Sequence, residues 1–268
     1  MTEKVNDSNM LLRKHKRKEW MQADLAVSEL LAEIDRVYAD PETVTQRFFD
    51  AGTVKRIHIS KRADLLVMKI QEQTVCVKYF HDRRLRVRLR TFLGMAKGRK
   101  GYFSGVRLER MGVRVPEQLA CLEFRPFGPT VVAMELLKDI RTTVCWFADH
   151  QPEKGTVTVP RALLERFAEF VASLHRQGVY HCDFSPRNVM VQQQGNELNF
   201  VLIDLEDVRF RSSVSRRYCL QNLARFARES VPYLSVYTLM RFLRIYIRQM
   251  GWNGSAADGV RQIMRLLR

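Results

Sequence analysis

The sequence predicts an α+β chain of two lobes, a small β-rich N-terminal lobe and a larger, mainly helical C-terminal lobe. Short runs of β-branched and apolar residues crowd between Val54 and Tyr79 and return in "LACLEF" and "TVVAMELL". A strongly amphipathic stretch lies between Pro160 and Gly178, and the tail from Tyr233 has helical spacing. With 268 residues, 46% of them hydrophobic, the chain can bury a core of ordinary size. These features divide it into a basic N-terminal extension with accessory helices (1–50), a β-rich lobe (51–137) and a helical lobe (138–268).

In chain order, residues 1 to about 22 are polar and basic, with Arg13, Lys14, Lys16, Arg17 and Lys18 almost consecutive, and read as a solvated or frayed segment. From Asp24, "DLAVSELLAEIDRVYA" has helical spacing and stops before Pro41. "VKRIHIS", "LLVMKI" and "TVCVKYF", separated by polar breaks, form a β-meander. The basic "HDRRLRVRLR" and "GMAKGRKGYFSGVRLERMG" read as mostly helical despite their glycines, and two further strands follow. Between Pro160 and Gly178, Leu163, Leu164, Phe167, Phe170, Val171 and Leu174 recur on one helical face, with proline at the start and glycine past the end. "QQQGNE" turns the chain between two antiparallel strands, the second running through "LNFVLIDLEDV". The tail helix from Tyr233 sets Arg241, Arg244 and Arg248 opposite bulky apolar residues, the pattern of a domain helix packed on its apolar side. Ser255 is placed to cap a last helix.

The net charge of +16 and pI near 10.0 favour phosphate-rich partners: nucleotides, nucleic acid or an anionic membrane surface. The basic segments lack interleaved aromatics in any nucleic-acid motif, so nucleic acid is not expected. The five cysteines are scattered, odd in number and never spaced Cys-x-x-Cys, which predicts neither a disulfide framework nor a zinc site and fits a reducing cytosol. No stretch has the apolar length of a secretory signal or a membrane span, so any contact with a membrane is expected to be peripheral.

The chemistry concentrates in "HCDFSPRNVMV", starting at His181. Asp183 and Asn188 are five positions apart between a buried helix and a strand, and Asp204 follows at the end of the apolar "FVLI" run. Two antiparallel strands would bring the three together. A carboxylate and an amide facing a second carboxylate suit a hard magnesium ion that keeps some waters and bridges substrate phosphates. The remaining carboxylate, Asp183, can then orient an attacking hydroxyl and accept its proton. His181 is expected to brace the backbone, and Arg187 to bind an acceptor phosphate or to form a surface ion pair.

"HCDFSPRN" resembles the H-x-D-x-x-x-x-N loop of protein-kinase-like phosphotransferases, "LIDLED" their magnesium-binding segment, and "VCVKYF" their V-A-I-K strand. The closer texture, "LLERFAEFVASLHRQGVYHCDFSPRNVMV" with "FVLIDLEDVRF" and "LQNLARF", resembles the bacterial lipopolysaccharide kinase (Kdo/WaaP) family over about residues 50–250. The resemblance implies a bilobal protein-kinase-like fold, ATP and Mg2+ as cofactors, and phosphorylation of a heptose or Kdo hydroxyl in the lipopolysaccharide inner core. It makes Asp183 the base, Asn188 and Asp204 the metal ligands, and Lys78 a phosphate contact. The "MELL" run becomes the hinge, with Glu135 at the nucleotide. It also implies a lipid-linked core saccharide as partner, at an anionic membrane surface on the cytoplasmic side of the inner membrane.

Three departures from the pattern stand out. No glycine lies between Val54 and Lys78 where a phosphate loop would turn. Glu109 is the only acid in the basic helix that should partner Lys78, and Leu205 and Glu206 rather than glycine follow Asp204. The competing expectations are a kinase of the same fold acting on a protein or small molecule, a catalytically weak pseudokinase, and a non-catalytic module binding anionic surfaces.

Overall fold

The computed structural model describes residues 16–21, 54–59, 63–70, 73–80, 96–125, 130–195, 197–253 and 255–267. The sequence-predicted helix from Asp24 and the basic run from His81 lie outside them. The chain forms two compact units: the first runs to Arg107 and resumes over Pro116–Leu136, and the second comprises Leu108–Val115 and Leu137–Arg268.

The first unit is built on an antiparallel sheet. The expected meander is present as β2 (Val54–Ile59), β3 (Ala63–Ile70) and β4 (Gln73–Phe80), and β5 (Gln118–Arg125) and β6 (Thr130–Glu135) complete the predicted strands. With β1 (Lys16–Met21) the order is β1-β5-β6-β4-β3-β2, so β6 joins the meander through β4. Val75 and Val77 are fully buried. Lys78, between Leu65 and Val132 in the ladder, is half-buried, with its Nζ 5.2 Å from the Phe80 ring centre.

Strand β1 (Lys16–Met21) corrects the sequence reading, which made this basic segment a solvated tail. It pairs antiparallel with β5, Lys18 opposite Glu123. The backbone, not the side-chain pattern, makes that ladder, and its partner lies about a hundred residues away, so no local signal announces it. Helix α1 (Lys97–Arg110) forms in the stretch predicted helical despite its glycines. Two of those glycines let it approach the sheet: a Cβ at Gly98 would crowd Thr130 and Phe80, and one at Gly105 would collide with the Gln118 side chain.

Among its described residues the second unit holds a three-stranded sheet, β10 (Glu197–Leu202)-β9 (Val189–Gln194)-β7 (Ile140–Thr142), a two-stranded ribbon, β11 (Val208–Phe210)-β8 (Val179–His181), and five α-helices. Its elements are β7 (Ile140–Thr142), α2 (Thr143–Asp149), α3 (Arg161–Arg176), β8 (Val179–His181), β9 (Val189–Gln194), β10 (Glu197–Leu202) and β11 (Val208–Phe210). Helices α4 (Arg216–Ser230), α5 (Val236–Gln249) and α6 (Ala256–Leu267) follow. Helix α3 buries the predicted face through Leu163, Leu164, Val171 and Leu174, with Phe167 and Phe170 packed beside them. Helix α5 packs on α3 and α6, with Phe242, Leu243, Tyr246 and Ile247 inward, as expected of a domain helix. Ser255 Oγ accepts the Asp258 N–H at 3.1 Å, the predicted cap.

Two local readings change. The glutamines of "QQQGNE" continue β9, with Gln192 buried between its ladder partners Asn199 and Ile140, so the turn moves on to Gly195 at φ +58°. The run read as one strand through "LNFVLIDLEDV" is broken at Asp204, whose left-handed φ of +57° ends the extended chain and starts a 3-10 turn over Leu205–Asp207. Aspartate reaches that region more readily than most residues, and nothing in the sequence marks which aspartate will. No helix among the described residues is long and apolar enough to cross a membrane, and all five cysteines are free thiols.

Candidate active site

The site is assembled from the end of α3 onward. Gly178 turns the chain at φ +76°, and a side chain there would strike the Arg211 carbonyl, so the chain enters β8 with the β8–β11 ribbon closed against it. The loop that follows is pinned by apolar burial: Phe184 sits in the core and Pro186 is buried, while Asp183, immediately before them, is exposed.

Backbone and side-chain hydrogen bonds fix the polar residues. Asn188 Nδ2 donates to the Asp183 carbonyl at 2.9 Å and to Asp183 Oδ2 at 3.2 Å. Asp183 Oδ1 accepts no bond from the described residues. The Asn188 N–H donates to Ser185 O at 3.0 Å, and the Ile203 N–H donates to Asn188 O at 3.0 Å. The chain thus brings Asp183 and Asn188 side chain to side chain, and ties Asn188 to the residue before Asp204. Asp204 leaves β10 in the strained left-handed conformation, a cost that sites tolerate where the surroundings over-determine it.

His181 braces this arrangement, as expected. Its Nε2–H donates to Ile203 O at 3.1 Å and its Nδ1 accepts the Asp183 N–H at 3.2 Å, so the neutral ring links both arms. Burial pushes its pKa down, while the Ile203 carbonyl and then Asp204, Asp207 and Asp183 pull it back up, which places all three carboxylates within electrostatic range of one ring. Arg187 forms an ion pair with Glu229 at 3.0 Å, the surface-pair alternative.

Behind the loop runs a polar chain that sequence reasoning missed. Asn222 of α4 donates through Nδ2 to His181 O at 2.8 Å, which fixes its amide orientation and leaves Oδ1 to accept His175 Nε2–H at 3.2 Å. His175 Nδ1 then accepts the Tyr246 hydroxyl at 2.7 Å. Burial lowers the pKa of His175 to about 4, offset in part by the Asn222 bond, so the ring is neutral. The available signal was a polar residue inside an apolar stripe: Asn222 among Cys219, Leu223 and Phe226, and His175 beside Leu174.

Lys78 and Glu135, the predicted nucleotide contacts, belong to the first unit, and Asp183, Asn188 and Asp204 to the second. Glu135 is half-buried, and its Oε2 accepts the Glu117 N–H at 3.2 Å. Among the described residues, no three His, Cys, Asp or Glu side chains form a metal cage.

Residues 103–246, more than half of the chain and all of this site's second-unit residues, match the profile of the Lipopolysaccharide kinase (Kdo/WaaP) family. The chain belongs to that family. It is therefore a kinase, a phosphotransferase of the lipopolysaccharide kinase family, and the resemblance read from "HCDFSPRN" and "FVLIDLEDVRF" holds. No curated protein matches the sequence. Among solved structures, WaaP in complex with acyl carrier protein superposes with a TM-score of 0.60 at 18% identity, over 93% of this chain and 95% of that one. That likeness shows the fold: a β-rich N-terminal part and a helical C-terminal part, as expected. The Mycobacterium tuberculosis PknI kinase domain gives a TM-score of 0.46 at 15% identity, over 79% of this chain and 94% of that one.

Proposed function

We propose that this lipopolysaccharide kinase moves the terminal phosphoryl group of ATP to a sugar hydroxyl, heptose or Kdo, of the inner core. The carrying observation is the hydrogen-bonded loop in which Asn188 holds Asp183 through one carboxylate oxygen while, among the described residues, nothing bonds the other. Asp183 accepts the proton of the acceptor hydroxyl as its oxygen bonds to phosphorus and the bond to ADP breaks. Asn188 and Asp204 supply the oxygen donors for magnesium. An amide and a carboxylate suit that ion, which takes few protein ligands and fills the rest from water and phosphate, and does not require the three-acid cage that is missing among the described residues. Magnesium, when bound, would offset charge on the transferred group. Lys78 and Glu135 serve the nucleotide, the first unit acting as the nucleotide-binding part and the second as the catalytic one.

The +16 charge supports a lipid-linked core saccharide at an anionic membrane surface on the cytoplasmic side, with the chain bound peripherally. WaaP's complex also makes an acyl carrier protein a candidate partner, to be sought by pull-down with the purified carrier.

The test is Asp183→Ala with purified inner-core saccharide, ATP and magnesium. Transfer should fall by at least ~1000-fold with an unchanged melting temperature, because the side chain is exposed and outside the core. Full activity in the variant sinks the base assignment, and phosphate on generic protein hydroxyls instead of saccharide sinks the acceptor.

A further inference from the structure

Beside the Asp183 loop, the β8–β11 ribbon and the facing side of α4 carry arginines to which the reading above gives no task. Tyr180 lies opposite Arg209 in the ladder, and the Arg211 N–H extends that pairing to Gly178 O at 2.9 Å. Directly opposed and alternate residues share a sheet face, so Tyr180, Arg209 and Arg211 stand together. On α4, Tyr218 and Arg225 are seven positions apart, two helical turns, and share one side.

These two faces meet. The Tyr180 and Tyr218 rings pack edge to face at 5.2 Å between centres. The Arg211 guanidinium lies 4.4 Å from the Tyr218 ring centre and 5.9 Å from that of Tyr180. Burial raises the Tyr180 phenol's pKa, and Arg225 and Arg209 are near enough to pull it down. All three arginines are exposed, and among the described residues none forms an ion pair with a carboxylate. Arg166, Arg176 and Arg187 each do.

Three cations around one aromatic pair repel one another, and an anion between them removes that cost. The choice of cation points the same way. From Val208 to Arg268 the chain carries twelve arginines and no lysine, and guanidinium forks match phosphate and carboxylate oxygens two at a time. Cation–π attraction to the Tyr218 ring helps to hold the Arg211 guanidinium in place. Tyr180 precedes Asp183 by three residues, at most ~10 Å of extended chain, a reach that a short oligosaccharide spans.

We propose that Arg209, Arg211 and Arg225 form an anion subsite for the acceptor, gripping a phosphoryl or carboxylate group on a saccharide unit next to the one phosphorylated. It rests on the acceptor reading above and adds its recognition element. The subsite selects acceptors that already carry an acidic group, so a reaction that installs such a group must precede this kinase.

Arg209→Gln, Arg211→Gln, Arg225→Gln and the triple variant test this in the full chain. Each is assayed on inner-core saccharide and on the same saccharide after dephosphorylation and carboxyl reduction. Each single change should raise the acceptor KM roughly tenfold on the anionic saccharide. It should leave KM on the neutralised saccharide, KM for ATP and the melting temperature as in wild type. Equal KM for wild type and triple variant, or equal losses on both saccharides, overturns the subsite. So does loss of sedimentation with phosphatidylglycerol vesicles while KM for lipid-free acceptor is kept, since the arginines would then be a membrane contact. If wild type phosphorylates neither saccharide, the acceptor reading falls by itself. Equilibrium binding of the anionic saccharide then decides the subsite: tighter binding by wild type than by the triple variant keeps it, and equal binding removes it.

Discussion

Replacing His175 with glutamine removes the imidazole in the middle of the chain of bonds from Tyr246 to the His181 carbonyl and keeps an amide able to pair on both sides. In the folded protein burial holds the His175 pKa near 4, against 6.5 in the unfolded chain. Between those values the unfolded chain takes up a proton that the folded chain refuses, so stability is complete above 6.5 and falls as pH drops toward 4. At 1.36 kcal/mol per pH unit, with rounding at the ends, wild type should lose about 2.5 kcal/mol to this group between pH 7.5 and 4.5. His181, also shifted down, adds in the same direction. Carboxylates titrate in the same range, so the measured quantity is the difference between wild type and His175→Gln in guanidinium unfolding at pH 7.5, 6.5, 5.5 and 4.5. At pH 7.5 the variant should be the less stable by about 1–3 kcal/mol, for imperfectly paired buried groups. That gap should close by about 2.5 kcal/mol at pH 4.5. Parallel curves across the whole range would refute a buried neutral His175.

Asn222→Ala leaves the His181 carbonyl and the His175 Nε2–H without partners in the interior. It should cost about 2–5 kcal/mol in chemical unfolding and lower kcat more than the ATP KM. Gly178→Ala sets a methyl against the Arg211 carbonyl at a positive φ and should cost ~3 kcal/mol, read as a drop in melting temperature. Ser235→Ala removes the oxygen that accepts the Thr238 N–H at 3.1 Å at the start of α5, a loss of about 1 kcal/mol by denaturation. Arg166→Ala breaks an exposed pair with Glu197 and should change stability by less than about 0.5 kcal/mol in the same assay.

Most of the regular elements were legible because they rest on local patterns. Short β-branched and apolar runs between polar breaks marked β2 to β6, and the apolar face from Leu163 to Leu174 between proline and glycine marked α3. Strand β1 was not legible because its ladder is backbone to backbone with a distant edge. The break at Asp204 was hidden because an aspartate entering the left-handed region looks like any other aspartate at a strand end. In the site, Asp183, Asn188 and His181 declared themselves by spacing and by their place between helix and strand.

By itself, then, the sequence determined the family, the order of the elements and the three polar residues of the loop, since each is written in neighbours a few positions apart. Only the tertiary structure decided how they are held. Asn222 and Tyr246 reach His181 and His175 from 41 and 71 positions away, and Arg225 meets Arg209 and Arg211 across the Tyr180–Tyr218 contact. Hydrogen bonds and charges act over ångströms of space, and chain separation says nothing of them until the helices are packed.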